Sequence, residues 1–261
     1  MKTKRFWVLE GYGIECEKES KRFLNSLDSV QEVKSLFLPE LLLEPAESPV
    51  KSGEWIFFPG GFSFSDHFES GTLLAFELKK SGLLQKWLDL GVHFFGVCNG
   101  FQILTKLGFF GSETRLLHNQ VNGRGLGFIN RWVDLEYTLN ESQRLEAAKK
   151  FQFPVRHGEG RLSAPSLDYL KAQGSRVLLR YADAEFKNGS LDAIAGLVAK
   201  NKDSWIVGMM PHPEIVVREN QGPFHFAGEA MPQHREIEQQ KSGAGQRFFS
   251  QLFADLEGKN S

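Results

Sequence analysis

Short runs of consecutive apolar residues recur along the chain and predict buried strands. RFWVL, EWIFF, VHFFGV and WIVGMM are apolar at neighbouring positions rather than at every second one. This pattern is typical of strands that are covered on both faces in a parallel sheet. Stretches with helical spacing lie between them, such as Leu83, Leu84, Trp87 and Leu88. Strands that alternate with helices predict a doubly wound α/β fold with a mostly parallel central sheet and flanking helices.

The pattern changes in the middle of the chain and again near its end. FINRWVDLEY, FQFPVRH and SRVLLRY, between about residues 127 and 198, resemble strands of a mixed or antiparallel elaboration of the sheet. Residues 218–245 are rich in Glu, Gln, Gly and Pro, which predicts a loop or excursion before a final helix around Arg247 to Leu256. Because 261 residues are near the upper size for one hydrophobic core, we expect a single domain over 1–261.

Charge and cysteine content narrow the classes of function. The 31 Lys and Arg residues nearly cancel the 32 Asp and Glu residues, so no long-range field would recruit nucleic acid or an anionic membrane. Cys16 and Cys98 are far apart and lack zinc or disulfide spacing.

The apolar run from Phe6 to Leu9 is too short for a signal peptide, and no stretch approaches the ~20 apolar residues of a membrane span. We therefore expect a cytoplasmic protein without a metal site.

A buried strand runs directly into a candidate nucleophile at Cys98. Residues 92–100 read VHFFGVCNG, and apolar residues at helical spacing follow. Strand, tight turn and helix form a nucleophile elbow, with cysteine here where hydrolases carry serine. Gly96 and Gly100 suit a turn too sharp for side chains, whereas a merely structural cysteine would not need them. The helix dipole favours the thiolate, and the N–H of Asn99 would face the group under attack.

The run GMMPHPE supplies a candidate base and a carboxylate to orient it. It ends an apolar strand, so His212 should lie at the same carboxyl edge of the sheet as Cys98. Glu214, two positions on, can hold the imidazole N–H, and the imidazolium can then protonate a leaving nitrogen. A loop histidine between prolines is the alternative. Five other histidines lack convincing metal spacing or a matching cysteine: His67, His93, His118, His225 and His234.

Six short motifs occur in an order that resembles a known family. They are GGFSFSD at 60–66, VCNGFQIL at 97–104, FINRWV at 128–133, HGEGR at 157–161, KNGS at 187–190 and GMMPHPE at 208–214. Together they resemble the class I (triad) glutamine amidotransferases, and more narrowly the glutaminase subunit of phosphoribosylformylglycinamidine synthase in purine biosynthesis. The similar blocks extend from about Gly13 to Glu214.

The resemblance implies roles for further residues. Cys98, His212 and Glu214 would form the catalytic triad, and the N–H groups of Gly61 and Asn99 would form the oxyanion hole. Near the bound L-glutamine the resemblance places three more side chains: Gln102, His157 and Glu159. A plain glycine-rich turn is the alternative for the last two.

Two positions depart from the family pattern, and a third is ambiguous. The family loop usually reads GGFSYGD, so Phe64 and Ser65 stand here in place of tyrosine and glycine. A hydroxyl is lost and the shape of the loop is in question. Cys16 falls in an early loop where the family often has a cysteine that is not the nucleophile, and we interpret it as a packing residue.

The acceptor chemistry requires a partner. The chain has no GxxxxGK[ST] phosphate loop, and Gly123, Gly125 and Gly127 do not fit GxGxxG. The resemblance implies no cofactor in this chain, ATP and Mg on a synthetase subunit, a small bridging subunit, and ammonia passed through an interior route. Two alternatives remain open at this point: a free-standing cysteine hydrolase or peptidase of the same fold, and a non-catalytic regulatory subunit.

Overall fold

The computed structural model of the protein describes residues 3–139, 150–183, 186–218, 221 and 242–258. In chain order the strands are β1 (Lys4–Glu10), β2 (Val30–Phe37), β3 (Trp55–Phe58), β4 (His93–Val97), β5 (Arg115–His118), β6 (Gln120–Val121), β7 (Arg124–Gly125), β8 (Ile129–Tyr137), β9 (Lys150–His157), β10 (Glu159–Ser163), β11 (Ser175–Tyr181), β12 (Ile194–Asn201) and β13 (Ser204–Met209). The helices are α1 (Glu17–Asn25), α2 (Leu38–Leu43), α3 (Thr72–Lys80), α4 (Leu83–Asp89), α5 (Asn99–Lys106), α6 (Leu167–Ala172) and α7 (Ala244–Leu256).

The central sheet of the described residues has a parallel half and an antiparallel half. Its strand order is β2-β1-β3-β4-β13-β12-β11-β8-β9. Neighbours from β2 to β13 are parallel, and neighbours from β13 to β9 are antiparallel. The four predicted apolar strands are β1, β3, β4 and β13, so the mostly parallel sheet with an antiparallel elaboration is confirmed.

Helices cover both faces of the parallel half, as the continuous apolar strands require. Phe94 and Phe95 are neighbours in β4, and successive side chains of a strand point to opposite faces. The ring of Phe94 meets Trp87 of α4 at 6.4 Å between centroids, whereas Phe95 stacks on Phe249 of α7 at 4.7 Å. All of these rings are fully buried. Because β4 and β13 pair in parallel, their carboxyl ends lie at the same edge of this covered sheet, where the candidate site lies.

The end of the chain returns to the sheet through α7. This helix begins at Ala244, earlier than the predicted Arg247, because Gln246 folds back and its Oε1 accepts from the N–H of Gly243 at 3.1 Å. A β-bridge between Arg218 and Ser242 brings the two ends of the predicted excursion together. Most of that excursion, including His225 and His234, lies outside the described residues. None of the described helices has the length and apolarity needed to cross a membrane.

Candidate active site

Cys98 lies in a strained turn between β4 and α5. Its backbone has φ 53° and ψ −109°, a region that residues with a side chain rarely adopt. The turn needs both flanking glycines, since a Cβ at Gly100 would lie 2.0 Å from O of Phe58, and one at Gly96 would lie 2.5 Å from C of Gly100. The predicted elbow geometry is therefore present, with Cys98 only 7% exposed.

His212 and Glu214 follow β13 and form a buried hydrogen-bonded pair. Nδ1 of His212 lies 2.6 Å from Oε1 of Glu214. The backbone N–H of His212 donates to O of Pro154 in β9 at 2.9 Å, which anchors the residue to the antiparallel half. The Nε2 atom of His212 is buried and has no hydrogen-bond partner among the described residues. The imidazole therefore has one nitrogen committed to the carboxylate and one available.

The thiol and the imidazole converge on Gly60. A Cβ at Gly60 would lie 2.9 Å from Cε1 of His212, 3.3 Å from Sγ of Cys16 and 3.6 Å from Cβ of Cys98. Burial opposes charge on His212, but the negative charges of Glu214 and Cys98 outweigh it and raise the pKa of the imidazole above its usual value. In the structure Sγ of Cys98 itself donates to O of Arg156 at 3.4 Å. The charges around His212 therefore favour its imidazolium form.

The backbone N–H groups of Gly61 and Asn99 have no hydrogen-bond acceptor among the described residues. Asn99 is the first residue of α5, so its N–H has no acceptor inside the helix. Gly61 forms a β-bridge with Ile14, but the bonds that close this bridge belong to flanking residues, which leaves the N–H of Gly61 unused by it. Those bonds run from Glu15 N to Gly60 O at 3.2 Å and from Phe62 N to Gly13 O at 2.9 Å. The role of these two N–H groups as oxyanion donors stays a prediction.

The loop after Gly61 adopts left-handed backbone where the chain departs from the family pattern. Phe64, Ser65 and Asp66 have φ of 52°, 55° and 53°. Glycine tolerates this region best, so Ser65 is strained in the place where the family carries glycine. The ring of Phe64 stacks on Tyr12 at 4.5 Å and 14°, which holds it without the tyrosine hydroxyl.

The side chain of Asn99 joins this loop to helix α5. Its Oδ1 accepts from the N–H of Ser63 at 3.1 Å, and its Nδ2 donates to Oδ1 of Asp66 at 3.2 Å and to Oε1 of Gln102 at 3.0 Å. The Nε2 of Gln102 donates in turn to the backbone O of Glu159 at 2.7 Å. The glycine-rich loop, the elbow helix and the HGEGR turn are thus one hydrogen-bonded unit. The sequence reasoning used only the backbone of Asn99 and missed this role.

Glu159 braces the same unit from the other side. Its Oε2 accepts from the N–H of Ser70 at 3.2 Å, and its Oε1 lies 3.6 Å from Nε2 of the exposed His118. Burial raises the pKa of Asp66, and the charge of Glu159 adds to this effect. The carboxylate of Glu159 therefore holds the loop in this structure, and its contact with substrate stays a prediction.

Comparison with known proteins is consistent with this geometry. The profile of the CobB/CobQ-like glutamine amidotransferase domain matches residues 3–253. The chain belongs to the glutamine amidotransferase family. The phosphoribosylformylglycinamidine synthase subunit PurQ of Chlorobaculum parvum is 31% identical, over 94% of this chain and 88% of the relative. The PurQ of Corynebacterium jeikeium is 33% identical, over 77% of this chain and 86% of its own length.

Solved structures of glutamine amidotransferases share the fold. The structure of PurLQS from Thermotoga maritima contains a chain 29% identical to this one, with a TM-score of 0.64, which covers 85% of this chain and 92% of that chain. The glutaminase domain of CTPS from Trypanosoma brucei has a TM-score of 0.51 at 12% identity, covering 82% of this chain and 87% of that chain, and shows the likeness of fold alone.

Cys16, together with His212 and Glu214, forms a cluster of three potential metal ligands in this glutamine amidotransferase. Ligand atoms of Cys16, His212 and Glu214 all lie within 4.8 Å of one another. Burial and the charge of Glu214 raise the pKa of the Cys16 thiol to about 12, so it stays protonated, and Nδ1 of His212 is already bonded to the carboxylate. A protonated thiol is a poor metal ligand. The cluster therefore favours the packing interpretation of Cys16.

Tyr181 is a residue near the thiol that the sequence reasoning missed. Its hydroxyl is buried without a hydrogen-bond partner among the described residues, and burial and the charge of Cys98 raise its pKa. With Phe186, Lys187 and Arg161 it lines a cavity of about 440 Å³. A larger cavity of about 540 Å³ lies between α1 and α7 and includes none of the site residues. Tyr181 is the last residue of β11, SRVLLRY, and no local motif marks it.

Proposed function

We propose that this glutamine amidotransferase is the glutaminase subunit of a phosphoribosylformylglycinamidine synthase. It would hydrolyse L-glutamine to glutamate and ammonia and deliver the ammonia to an ATP-dependent synthetase subunit in purine biosynthesis. The observation that carries the proposal is the convergence of the strained Cys98 and the His212–Glu214 pair on Gly60. The similarity to PurQ over 94% of the chain favours this subunit over a free-standing hydrolase or a regulatory subunit.

The first chemical step forms a thioester. The Cys98 thiolate attacks the γ-carboxamide carbon of glutamine, a C–S bond forms, and the carbonyl oxygen takes the negative charge. The N–H groups of Gly61 and Asn99 would stabilise that oxyanion, and one such donor is worth about 10²–10³-fold in rate. The His212 imidazolium then protonates the amide nitrogen, the C–N bond breaks, and ammonia leaves.

The second step restores the thiol. Neutral His212 takes a proton from water as the water oxygen attacks the thioester carbon, and the collapse of the second oxyanion expels the Cys98 sulfur. His212 returns its proton to the sulfur, and glutamate is released. Glu214 would keep the imidazole in the tautomer that leaves Nε2 free for both transfers.

Partner subunits would supply the remaining chemistry. The Thermotoga maritima relative was solved as PurLQS, and such a complex fits the combination of this subunit with a synthetase and a small bridging subunit. ATP and Mg would bind to the synthetase, with no cofactor in this chain. We place the reaction in the cytoplasm, where a reducing environment keeps a catalytic thiol free.

A glutaminase assay with and without the synthetase subunit tests the proposal. We expect slow ammonia release from the purified chain, stimulation when the synthetase subunit is added, and no release by Cys98→Ala. Rapid peptide or ester hydrolysis by the isolated chain would instead identify a free-standing hydrolase. Ammonia release by Cys98→Ala equal to that of the wild type would reject the assignment.

A further inference from the structure

A second imidazole, that of His157, lies at the end of β9, the strand that contacts Cys98 and His212. The preceding residues of this strand contact both members, since O of Arg156 accepts from Cys98 Sγ at 3.4 Å and O of Pro154 accepts from His212 N at 2.9 Å. The ring of His157 is 2% exposed, and its Nε2 has no hydrogen-bond partner in the described part of the chain. Gly160 makes room for the ring, because a Cβ there would lie 2.2 Å from its Nδ1.

The side chain of Asn119 fixes where the proton of this ring lies. One end of the amide faces two carbonyl oxygens, those of His157 at 2.8 Å and Gly127 at 3.3 Å. The other end faces two N–H donors, from Gly160 at 3.3 Å and from Asn188 at 3.4 Å. This pattern assigns Nδ2 to the first end and Oδ1 to the second.

The assignment of the amide determines the tautomer of the histidine. Nδ2 of Asn119 also lies 3.2 Å from Nδ1 of His157. Because Nδ2 can only donate, this contact is a hydrogen bond when Nδ1 accepts, and a neutral imidazole that accepts at Nδ1 carries its proton at Nε2. His212 has the opposite arrangement, with Nδ1 bonded to Glu214 and Nε2 available. Nε2 of His157 is therefore a donor, whereas Nε2 of His212 carries a lone pair when that ring is neutral.

We propose that Asn119 is a positioning residue that holds His157 as a non-basic imidazole, whose Nε2–H is a buried hydrogen-bond donor on the strand that contacts Cys98 and His212. Of the two rings, only His212 then has an unused lone pair, at Nε2, that could take up the proton of the thiol. A buried N–H without a partner is destabilising, and such groups in native structures call for a functional explanation. The proposal rests on the proposed glutaminase activity for its rate measurements only.

Electrostatics acts in the same direction as the hydrogen bonds. Burial, and then the positive charge of His212, outweigh the opposing effect of the backbone oxygen of His157 and lower the pKa of the ring to about 4, so it is neutral at pH 7. The nearest carboxylate in sequence, Glu159, is directed to Ser70 and His118. Arg156, on the other side, is exposed. A charged His157 would repel the His212 imidazolium that catalysis requires.

Nuclear magnetic resonance of ¹⁵N-labelled imidazoles reads the tautomer directly. In the wild type we expect His157 with Nε2 protonated and Nδ1 unprotonated, unchanged down to pH 5. In Asn119→Asp a carboxylate accepts from Nδ1 and raises the pKa of His157, so Nδ1 becomes protonated. Asn188→Ala is the matched control, since it loosens the same turn without touching the ring and should keep the wild-type tautomer. Protonated Nδ1 in the wild type, or the Asp pattern in Asn188→Ala, would overturn the proposal.

Rates measured in the complex with the synthetase subunit test the role. Asn119→Asp should lower glutaminase kcat at pH 7 by about tenfold or more, because each unit by which the pKa of His157 rises increases its protonated fraction about tenfold. The acid limb of the pH–rate profile should move to higher pH. His157→Gln keeps an N–H donor and should retain more activity than His157→Ala. If His157→Gln and His157→Ala lose the same activity, and the acid limb of the pH profile disappears in both, then His157 is a base and the proposal is refuted. A wild-type complex without glutaminase activity would reject the proposed function but leave the tautomer result standing.

Discussion

His212 and Glu214 are two residues apart in sequence, and their Nδ1 and Oε1 atoms lie 2.6 Å apart with both side chains almost fully buried. The carboxylate can therefore orient the ring and stabilise its charged form, but it does not reach the reacting atoms. A role in orientation and a role in proton transfer predict different losses on mutation.

We predict that His212→Ala lowers glutaminase kcat by about 10²–10⁴-fold, the usual contribution of a general acid and base. Glu214→Ala should lose less, because Nε2 of His212 remains near the thiol. Steady-state ammonia release in the complex measures both. A Glu214 variant more damaged than the His212 variant would contradict these roles.

Gly60→Ala should damage catalysis more than folding. The added Cβ would lie 2.9 Å from Cε1 of His212, so the ring must shift, and misplacement by about 1 Å can cost 10²-fold in rate. Gly125→Ala is the control, since its Cβ would meet nothing within 4 Å. We expect kcat to fall for Gly60→Ala and to stay near the wild-type value for Gly125→Ala. Unchanged kcat in Gly60→Ala would show that the site tolerates the shift.

Ser65→Gly should stabilise the protein. Ser65 has φ 55°, and relief of left-handed strain is worth about 1 kcal/mol, partly offset by the greater freedom of glycine in the unfolded chain. Ser81→Gly is the control, because Ser81 has φ −72° and gains nothing from the change. Urea unfolding at neutral pH measures both variants. A lower free energy of unfolding for Ser65→Gly would refute the claim of strain at this position.

His157 should make the protein less stable in acid. Its folded pKa of about 4 lies below the ordinary histidine value of 6.5, so between these values the unfolded chain binds more protons. Its contribution is complete above pH 6.5 and is lost as the pH falls towards 4, by about 3 kcal/mol in total. We expect His157→Gln to lose less free energy of unfolding than the wild type between pH 7 and pH 4.5. Parallel losses in the two proteins would mean that this imidazole does not titrate abnormally.

The elbow could be predicted from sequence because its requirements are local. A strand that is buried on both faces, glycines two residues to either side of Cys98, and helical spacing beyond them are all visible in one short segment. The same holds for Glu214, whose distance from His212 is set by two residues of backbone. The family motifs then joined segments that spacing alone could not join.

The polar contacts behind the site could not be predicted, because their partners come from distant segments. Asn119 lies in a polar stretch, yet its amide meets the HGEGR turn and Asn188 of the KNGS motif. The carboxylate of Glu159 reaches Ser70, which follows the glycine-rich loop. Only the folded chain brings such partners together, so a motif indicates that a segment matters without saying which of its atoms are used.

Strand β9 ends the order of the described sheet, and yet two of its carbonyl oxygens hold the nucleophile and the base. A terminal strand is paired on one side and can be displaced at the cost of fewer backbone bonds than an inner strand. A displacement of β9 would therefore move Cys98 and His212 through one hydrogen bond each. A subunit that docks on this edge of the sheet and shifts β9 would change the rate of turnover directly.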